Sequence, residues 1–126
     1  MTNPSIPAMG SRVELIRQAV PGQNDLEAVL FFLSLPPGGS APAHRHPCAG
    51  VGYVLEGVYE SQYEGEQLKC YSAGDPIYDL ADTPHLVARN GSQIEPLRFL
   101  MTFIVRKGEP TSLPLSWFRQ AWPVAP

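Results

Sequence analysis

Apolar and polar residues alternate over short stretches of this chain, and turn-forming residues separate the stretches. The stretches are rich in Val, Ile, Leu, Phe and Tyr, which favours β-strands. Fourteen prolines and eleven glycines, spread over 126 residues, leave few windows long enough for a helix. Many short strands predict an all-β sandwich or barrel. We predict strands at Val13–Ala19, Glu27–Leu35, His44–His46, Val51–Glu56, Val58–Tyr63, Gln67–Tyr71, Pro76–Asp79, His85–Ala88 and Leu97–Arg106.

Two segments point to a covered surface outside the barrel. The strand at Leu97–Arg106 is apolar at nearly every position, and a strand that is apolar on both faces is covered on both sides. The tail that follows carries Trp117, Phe118 and Trp122, and large exposed aromatic patches are uncommon on soluble monomers. We therefore expect the outer face of this strand to meet the tail or a second subunit, which favours a homodimer.

Length, charge and cysteine content narrow the class of protein. A chain of this length predicts a single domain, residues 1–126, with a barrel at about 27–106 and a tail at 107–126. The net charge of -3 argues against a nucleic-acid partner. No apolar run approaches the ~18 residues of a transmembrane helix, and the first residues lack a signal-peptide pattern. Cys48 and Cys70 do not make a disulfide framework, so we expect a cytoplasmic protein with no membrane partner.

All three histidines fall where one metal ion could bind them. His44 and His46 stand two apart on a predicted strand and face the same side, and His85 from a neighbouring strand can complete a tripod. Imidazole binds several transition metals alike, so the spacing predicts a divalent ion, such as Fe, Mn, Ni or Zn, without identifying it. The alternative is three unrelated histidines at the ends of loops.

The residues around these histidines resemble the two signature motifs of the cupin superfamily. The first motif is similar to the combination of Gly38, His44-Arg45-His46 and Tyr53-Val54-Leu55-Glu56-Gly57. The second is similar to the combination of Gly74, His85 and Asn90. The resemblance implies a double-stranded β-helix, or jelly-roll, in which a metal site lies inside one end of the barrel.

The first motif departs from the family pattern at the position of its acidic ligand. Counting back from Gly57, Gly50 stands where the family usually places a Glu ligand. The resemblance then implies a neutral three-His site, similar to that of some cupin-type dioxygenases, whose ion keeps its full charge. Gly50 and Gly52 share the inward parity, so we expect open space beside the metal. The alternative is that Gly50 marks a bulge and the metal has been lost.

The remaining candidates surround this site. Cys48 follows His46 closely and could be an additional ligand or a pocket thiol, but Pro47 disturbs the alternation and favours a loop residue. Arg45 is expected to face outward, and Arg89 either reaches an anionic substrate or forms an ion pair at the rim. The expected pocket wall consists of Gly50, Gly52, Val54, Tyr63, Val87, Phe99, Met101 and Phe103.

Three functions fit these observations. The first is a metal-dependent enzyme, foremost a non-haem iron dioxygenase acting on a small organic substrate. The second is a metal-dependent isomerase, lyase or hydrolase, in which the ion polarises a carbonyl group. The third is a protein that binds a small molecule without catalysis. Iron favours the first and redox-silent zinc the second, whereas binding without turnover indicates the third. We expect an enzyme, and the sequence identifies no catalytic residue beyond the metal ligands.

Overall fold

Ten β-strands form the regular framework of the part of the chain that the structure, a computed structural model, describes, residues 10–115. The all-β prediction is confirmed. Within this range no helix has the length and apolar character needed to cross a membrane. The strands are β1 (Ser11–Val20), β2 (Gln23–Leu35), β3 (His44–Arg45), β4 (Gly50–Glu56), β5 (Val58–Tyr63), β6 (Lys69–Ser72), β7 (Pro76–Asp79), β8 (His85–Asn90), β9 (Leu97–Arg106) and β10 (Leu113–Pro114).

The strands form two five-stranded sheets whose inner faces share one core. One sheet has the order β1-β2-β9-β4-β7 and the other the order β10-β3-β8-β5-β6, and all paired strands are antiparallel. Tyr59 of the second sheet stacks on Phe99 of the first, with ring centroids 4.6 Å apart. Alternate residues of β5 and β9 therefore fill the space between the sheets, as expected for a sandwich. This arrangement is the jelly-roll that the sequence predicts.

Strand β9 supplies the largest share of the core. Its inward side chains alternate along the whole strand, and none of them is more than 4% exposed. They are Leu97, Phe99, Met101, Phe103 and Val105. On the outer face Leu100 is half-buried and Ile104 is 47% exposed. Trp117, Phe118 and Trp122 lie outside the described residues, so the cover expected over this face stays a prediction.

Two departures from the predicted strands matter for the site. Strand β10 was not predicted, because it is two residues long and contains a proline, yet it pairs with β3 so that Pro114 lies opposite His44. Strand β3 ends at Arg45, and His46 follows it in an isolated bridge to Ala81. The histidine pair therefore lies where β3 meets the C-terminal segment rather than in the middle of a long strand.

Candidate metal centre

Strands β3 and β8 bring the three histidines together. His44 and His85 are direct partners across the two strands, and His46 lies just beyond the end of β3. One ring nitrogen from each histidine can be chosen so that all three lie within 4.8 Å of one another. The ring centroids are separated by 4.7 to 5.9 Å. This cluster has the dimensions of a site for a single metal ion.

Backbone carbonyl groups orient two of the rings. The Nδ1 atom of His44 lies 2.8 Å from the carbonyl oxygen of Pro42, and that of His46 lies 2.7 Å from the carbonyl oxygen of Thr111. A carbonyl oxygen only accepts, so each Nδ1 donates its hydrogen and each Nε2 of the neutral ring carries a lone pair. The two Nε2 atoms lie 3.2 Å apart. Two ring nitrogens this close are satisfied by a proton shared between them or by a metal ion that binds both, so the arrangement fits a metal ion.

His85 presents a second indication of the same kind. Its ring is 1% exposed, its Nε2 atom is hydrogen-bonded to Ser61 Oγ at 2.8 Å, and its Nδ1 atom is buried without a hydrogen-bond partner among the described residues. Burial, reinforced by the charges of His44 and His46, lowers the pKa of His85 to about 3. Burial also lowers the pKa of His44. Both rings are therefore neutral at neutral pH and have lone pairs available for an ion.

The structure adds a carboxylate that we did not expect. Asp79 at the end of β7 is 7% exposed, and its Oδ2 atom lies 3.3 Å from His46 Nε2. Tyr63 donates its hydroxyl hydrogen to Asp79 Oδ1 at 2.5 Å. Asp79 pairs directly with Gly50 across β4 and β7. An acidic side chain from the neighbouring strand therefore lies beside the histidines, although the expected family position holds glycine.

The expectation of open space at Gly50 and Gly52 is wrong. A Cβ atom at Gly50 would lie 2.5 Å from Cε1 of Phe103, and one at Gly52 would lie 2.3 Å from Sδ of Met101. Both glycines pair with β9, whose large inward side chains occupy the space over the backbone of β4. The room left by the missing glutamate is thus filled by Phe103, whose ring centroid lies 5.1 Å from that of His46.

A cavity of about 480 Å³ opens onto the histidines. Its wall is largely apolar, with Asp79 and Arg12 among its few charged side chains. Of the expected wall, Phe99, Met101 and Phe103 do line it. Sequence reasoning missed the residues that come from β1, β2 and the C-terminal segment, because it had no means of placing those segments beside the motif. They include Arg12, Phe31, Leu33, Ser112 and Leu113.

Five residues of the expected pocket wall are not among the residues that line this cavity. Gly50 and Gly52 lie behind Phe103 and Met101. Val54 is fully buried in the core, and Tyr63 stacks on His85 with ring centroids 4.0 Å apart, so it supports the histidine from beside the cavity.

Val87 is displaced by an irregularity in strand pairing. Tyr63 pairs with His85 but Gln62 pairs with Val87, which leaves Leu86 as an extra residue in β8. Such a bulge reverses the alternation of side chains. Ala88 therefore faces the cavity in place of Val87.

Cysteines and arginines near the motif lie away from the cluster. Cys48 is half-buried against the core, outside both the ligand cluster and the cavity wall, and burial raises the pKa of its thiol to about 11. Cys70 is exposed on β6. Arg45 approaches the carbonyl oxygen of Asp82. Arg89 forms an ion pair with Glu60 at 2.6 Å, which is the second of the two roles considered for it.

Family and fold comparisons agree with this geometry. The sequence profile of the Cupin domain family matches residues 31–103, more than half of the chain. The chain therefore belongs to the cupin superfamily. No curated protein has significant sequence similarity to it.

Three solved structures show the likeness of fold. DMSP lyase DddQ from Ruegeria pomeroyi DSS-3 has a TM-score of 0.64 and 21% identity, over 84% of this chain and 51% of the lyase. The polyketide cyclase RemF from Streptomyces resistomycificus has a TM-score of 0.62 and 22% identity, over 90% of this chain and 80% of the cyclase. An oxalate oxidase, solved with the substrate analogue glycolate, has a TM-score of 0.65 and 17% identity, over 98% of this chain and 65% of the oxidase. This chain spans about half the length of the lyase. Identities this low show a common fold only.

Proposed function

We propose that this protein is a metal-dependent enzyme that acts on a small organic substrate in the cavity beside the three histidines. The observation that carries the proposal is the convergence of His44, His46 and His85, which can each direct one ring nitrogen to a common position within 4.8 Å of the others. A divalent iron ion held there would supply redox chemistry with dioxygen, so the first reaction class is that of a non-haem iron dioxygenase.

The chain's own residues would position the substrate and exclude water. Hydrogen bonds from Nδ1 fix the orientation of His44 and His46, and the stacked ring of Tyr63 fixes that of His85. Such supporting contacts typically change metal affinity by about 10- to 100-fold. The apolar wall formed by Phe31 and Met101 would cover the body of the substrate.

Asp79 favours a second reaction class, that of a lyase or isomerase. Its carboxylate lines the cavity and lies beside His46, where it can accept a proton from a carbon atom next to a polarised carbonyl group. Tyr63 supports this role, because its hydroxyl holds one oxygen of the carboxylate in place. A lyase and a cyclase are among the proteins with a similar fold, and elimination and cyclisation reactions need no net oxidation.

The test is anaerobic purification, followed by elemental analysis and oxygen-uptake measurements with candidate substrates. Iron at about one ion per chain together with substrate-dependent oxygen uptake supports the dioxygenase. Zinc, or substrate turnover without oxygen uptake, supports the lyase or isomerase. Ligand binding without turnover under either condition indicates a binding protein and contradicts both enzyme proposals.

The proposal extends to the organisation of the chain as a single cupin domain, residues 1–126, that forms a homodimer. The outer face of the sheet that contains β4 and β9 exposes large apolar side chains, with Val51 65%, Tyr53 49% and Ile104 47% exposed. Exposed apolar patches of this kind mark association surfaces. Light scattering coupled to gel filtration tests the dimer, and Val51→Lys should convert it to a monomer if this face is the interface. A monomeric wild-type protein would contradict it.

A further inference from the structure

The described residues that line the cavity include one arginine, Arg12 on β1, and no lysine. Arg12 lies on the inward face of its strand, on the same cavity wall as His44 and His46. A positive charge and the candidate metal centre therefore share one binding space.

Two contacts hold the guanidinium group of Arg12 in place. Its Cζ atom lies 4.5 Å from the centroid of the Phe31 ring, and its Nη1 atom donates a hydrogen bond to Thr111 Oγ1 at 3.0 Å. Thr111 is 3% exposed, and its carbonyl oxygen also accepts the hydrogen bond from His46 Nδ1. One buried residue thus fixes both the arginine and a histidine of the cluster. The distance between the positive charge and the cluster is set by the fold.

Arg12 has no ion-pair partner within the described chain. Its two contacts are an aromatic ring and a neutral hydroxyl group, and it forms no ion pair with a carboxylate of residues 10–115. Other arginines do form such pairs: Arg17 with Glu14 and Glu27, Arg89 with Glu60, Arg98 with Glu56, and Arg106 with Asp25. Arg12 has further N–H groups in a planar fork, the geometry that binds a carboxylate through two hydrogen bonds.

We infer that Arg12 selects the substrate class, and that the cavity takes small carboxylates with an apolar body. The carboxylate is bound by the guanidinium group, and the body of the molecule lies against Leu33 and Met101 on the way to the histidines. One guanidinium group can bind a carboxylate through two parallel hydrogen bonds, so a single arginine suffices for a monoanion. The inference rests on the proposed function in one respect, that this cavity is the substrate site.

Calorimetric titration with 3-phenylpropanoate and with its neutral amide, 3-phenylpropanamide, tests the inference. Both titrations are made on metal-free protein and on protein reloaded with Fe(II) under anaerobic conditions. We expect the carboxylate to bind at least tenfold more tightly than the amide in both forms, because a hydrogen bond to a charged group is lost with the amide. Arg12→Gln should weaken carboxylate binding about 10- to 100-fold and leave amide binding within twofold.

Arg17→Gln is the matched control, because Arg17 lies on the same strand but outside the cavity wall and pairs with two glutamates. It should leave binding of both probes unchanged. Equal binding of the two probes to the wild-type protein, no binding of either, or equal behaviour of Arg12→Gln and Arg17→Gln would overturn the inference. The metal-free titration separates this proposal from the enzyme proposal, because a carboxylate preference that depends on Arg12 is measured there even if the protein binds no metal.

Discussion

The wall of the cavity has two parts that differ in how the sequence encodes them. The histidine part comes from β3 and β8 and is marked by a motif, His44-Arg45-His46, whose spacing alone places two rings on one side. The other part contains Arg12 and Asp79, which are brought to the cavity by the pairing of β1 with β2 and of β7 with β4. The histidine part predicts a metal ion, and the other part supplies the charged groups that a substrate in the cavity would meet.

The largest expected effect comes from removing a histidine. His85→Ala and His44→Ala each delete one of three candidate ligands, so we expect the metal content of the purified protein to fall to less than about a tenth of the wild-type value. Elemental analysis measures the loss, and circular dichroism confirms that the β-structure persists. Cys70→Ser on the exposed strand β6 is the control and should retain full metal content. Full occupancy in both histidine variants would rule out the tripod.

The next largest effect is expected from Gly50→Glu, and the structure determines whether this change stabilises or destabilises the protein. By the family pattern this change restores an acidic ligand and should tighten metal binding. The structure instead places Phe103 where the new side chain would begin, with Cε1 2.5 Å from the Cβ position. We expect the free energy of unfolding to fall by about 1–3 kcal/mol, as for other overpacked cores. Urea unfolding of the metal-free protein measures it.

A second substitution separates crowding from other causes of destabilisation. Combining Gly50→Glu with Phe103→Ala removes the ring that the glutamate would meet, so the double variant should lose less stability than the sum of the two single variants. Strict additivity, or a stable Gly50→Glu variant with tighter metal binding, would show that the space beside Gly50 is open after all.

These two changes show what the sequence could and could not predict. The bounds of β9, Leu97–Arg106, follow from its composition alone, and the cluster of His44, His46 and His85 follows from spacing and family resemblance. Asp79 could not be found in this way, because its position beside Gly50 depends on the register between β4 and β7. Val87 was misplaced for a related reason, since the bulge at Leu86 leaves no mark in the hydrophobic pattern.

Asp79→Asn should have a smaller effect, confined to the part of the site that the motif does not mark. The amide keeps the size of the side chain but removes its negative charge, so we expect metal affinity to fall about tenfold while the metal remains bound at saturation. Competition with a chelating dye measures the dissociation constant. Tyr63→Phe, which removes only the hydrogen bond to Asp79, should weaken metal binding less than Asp79→Asn does. Unchanged affinity in Asp79→Asn would mean that the carboxylate does not influence the ion.

The smallest effect is expected from Arg89→Gln, which tests whether any arginine near the motif suffices for substrate binding. The motif places Arg89 close to His85 in the chain, but the bulge in β8 turns it to the exposed surface, where Glu60 pairs with it. Exposed ion pairs contribute little, so the midpoint of thermal unfolding should move by at most a few degrees. Carboxylate binding, measured by the titration used for Arg12, should stay within twofold of wild type. A loss equal to that in Arg12→Gln would show that nearness in sequence, rather than placement by the sheet, determines which cation meets the substrate.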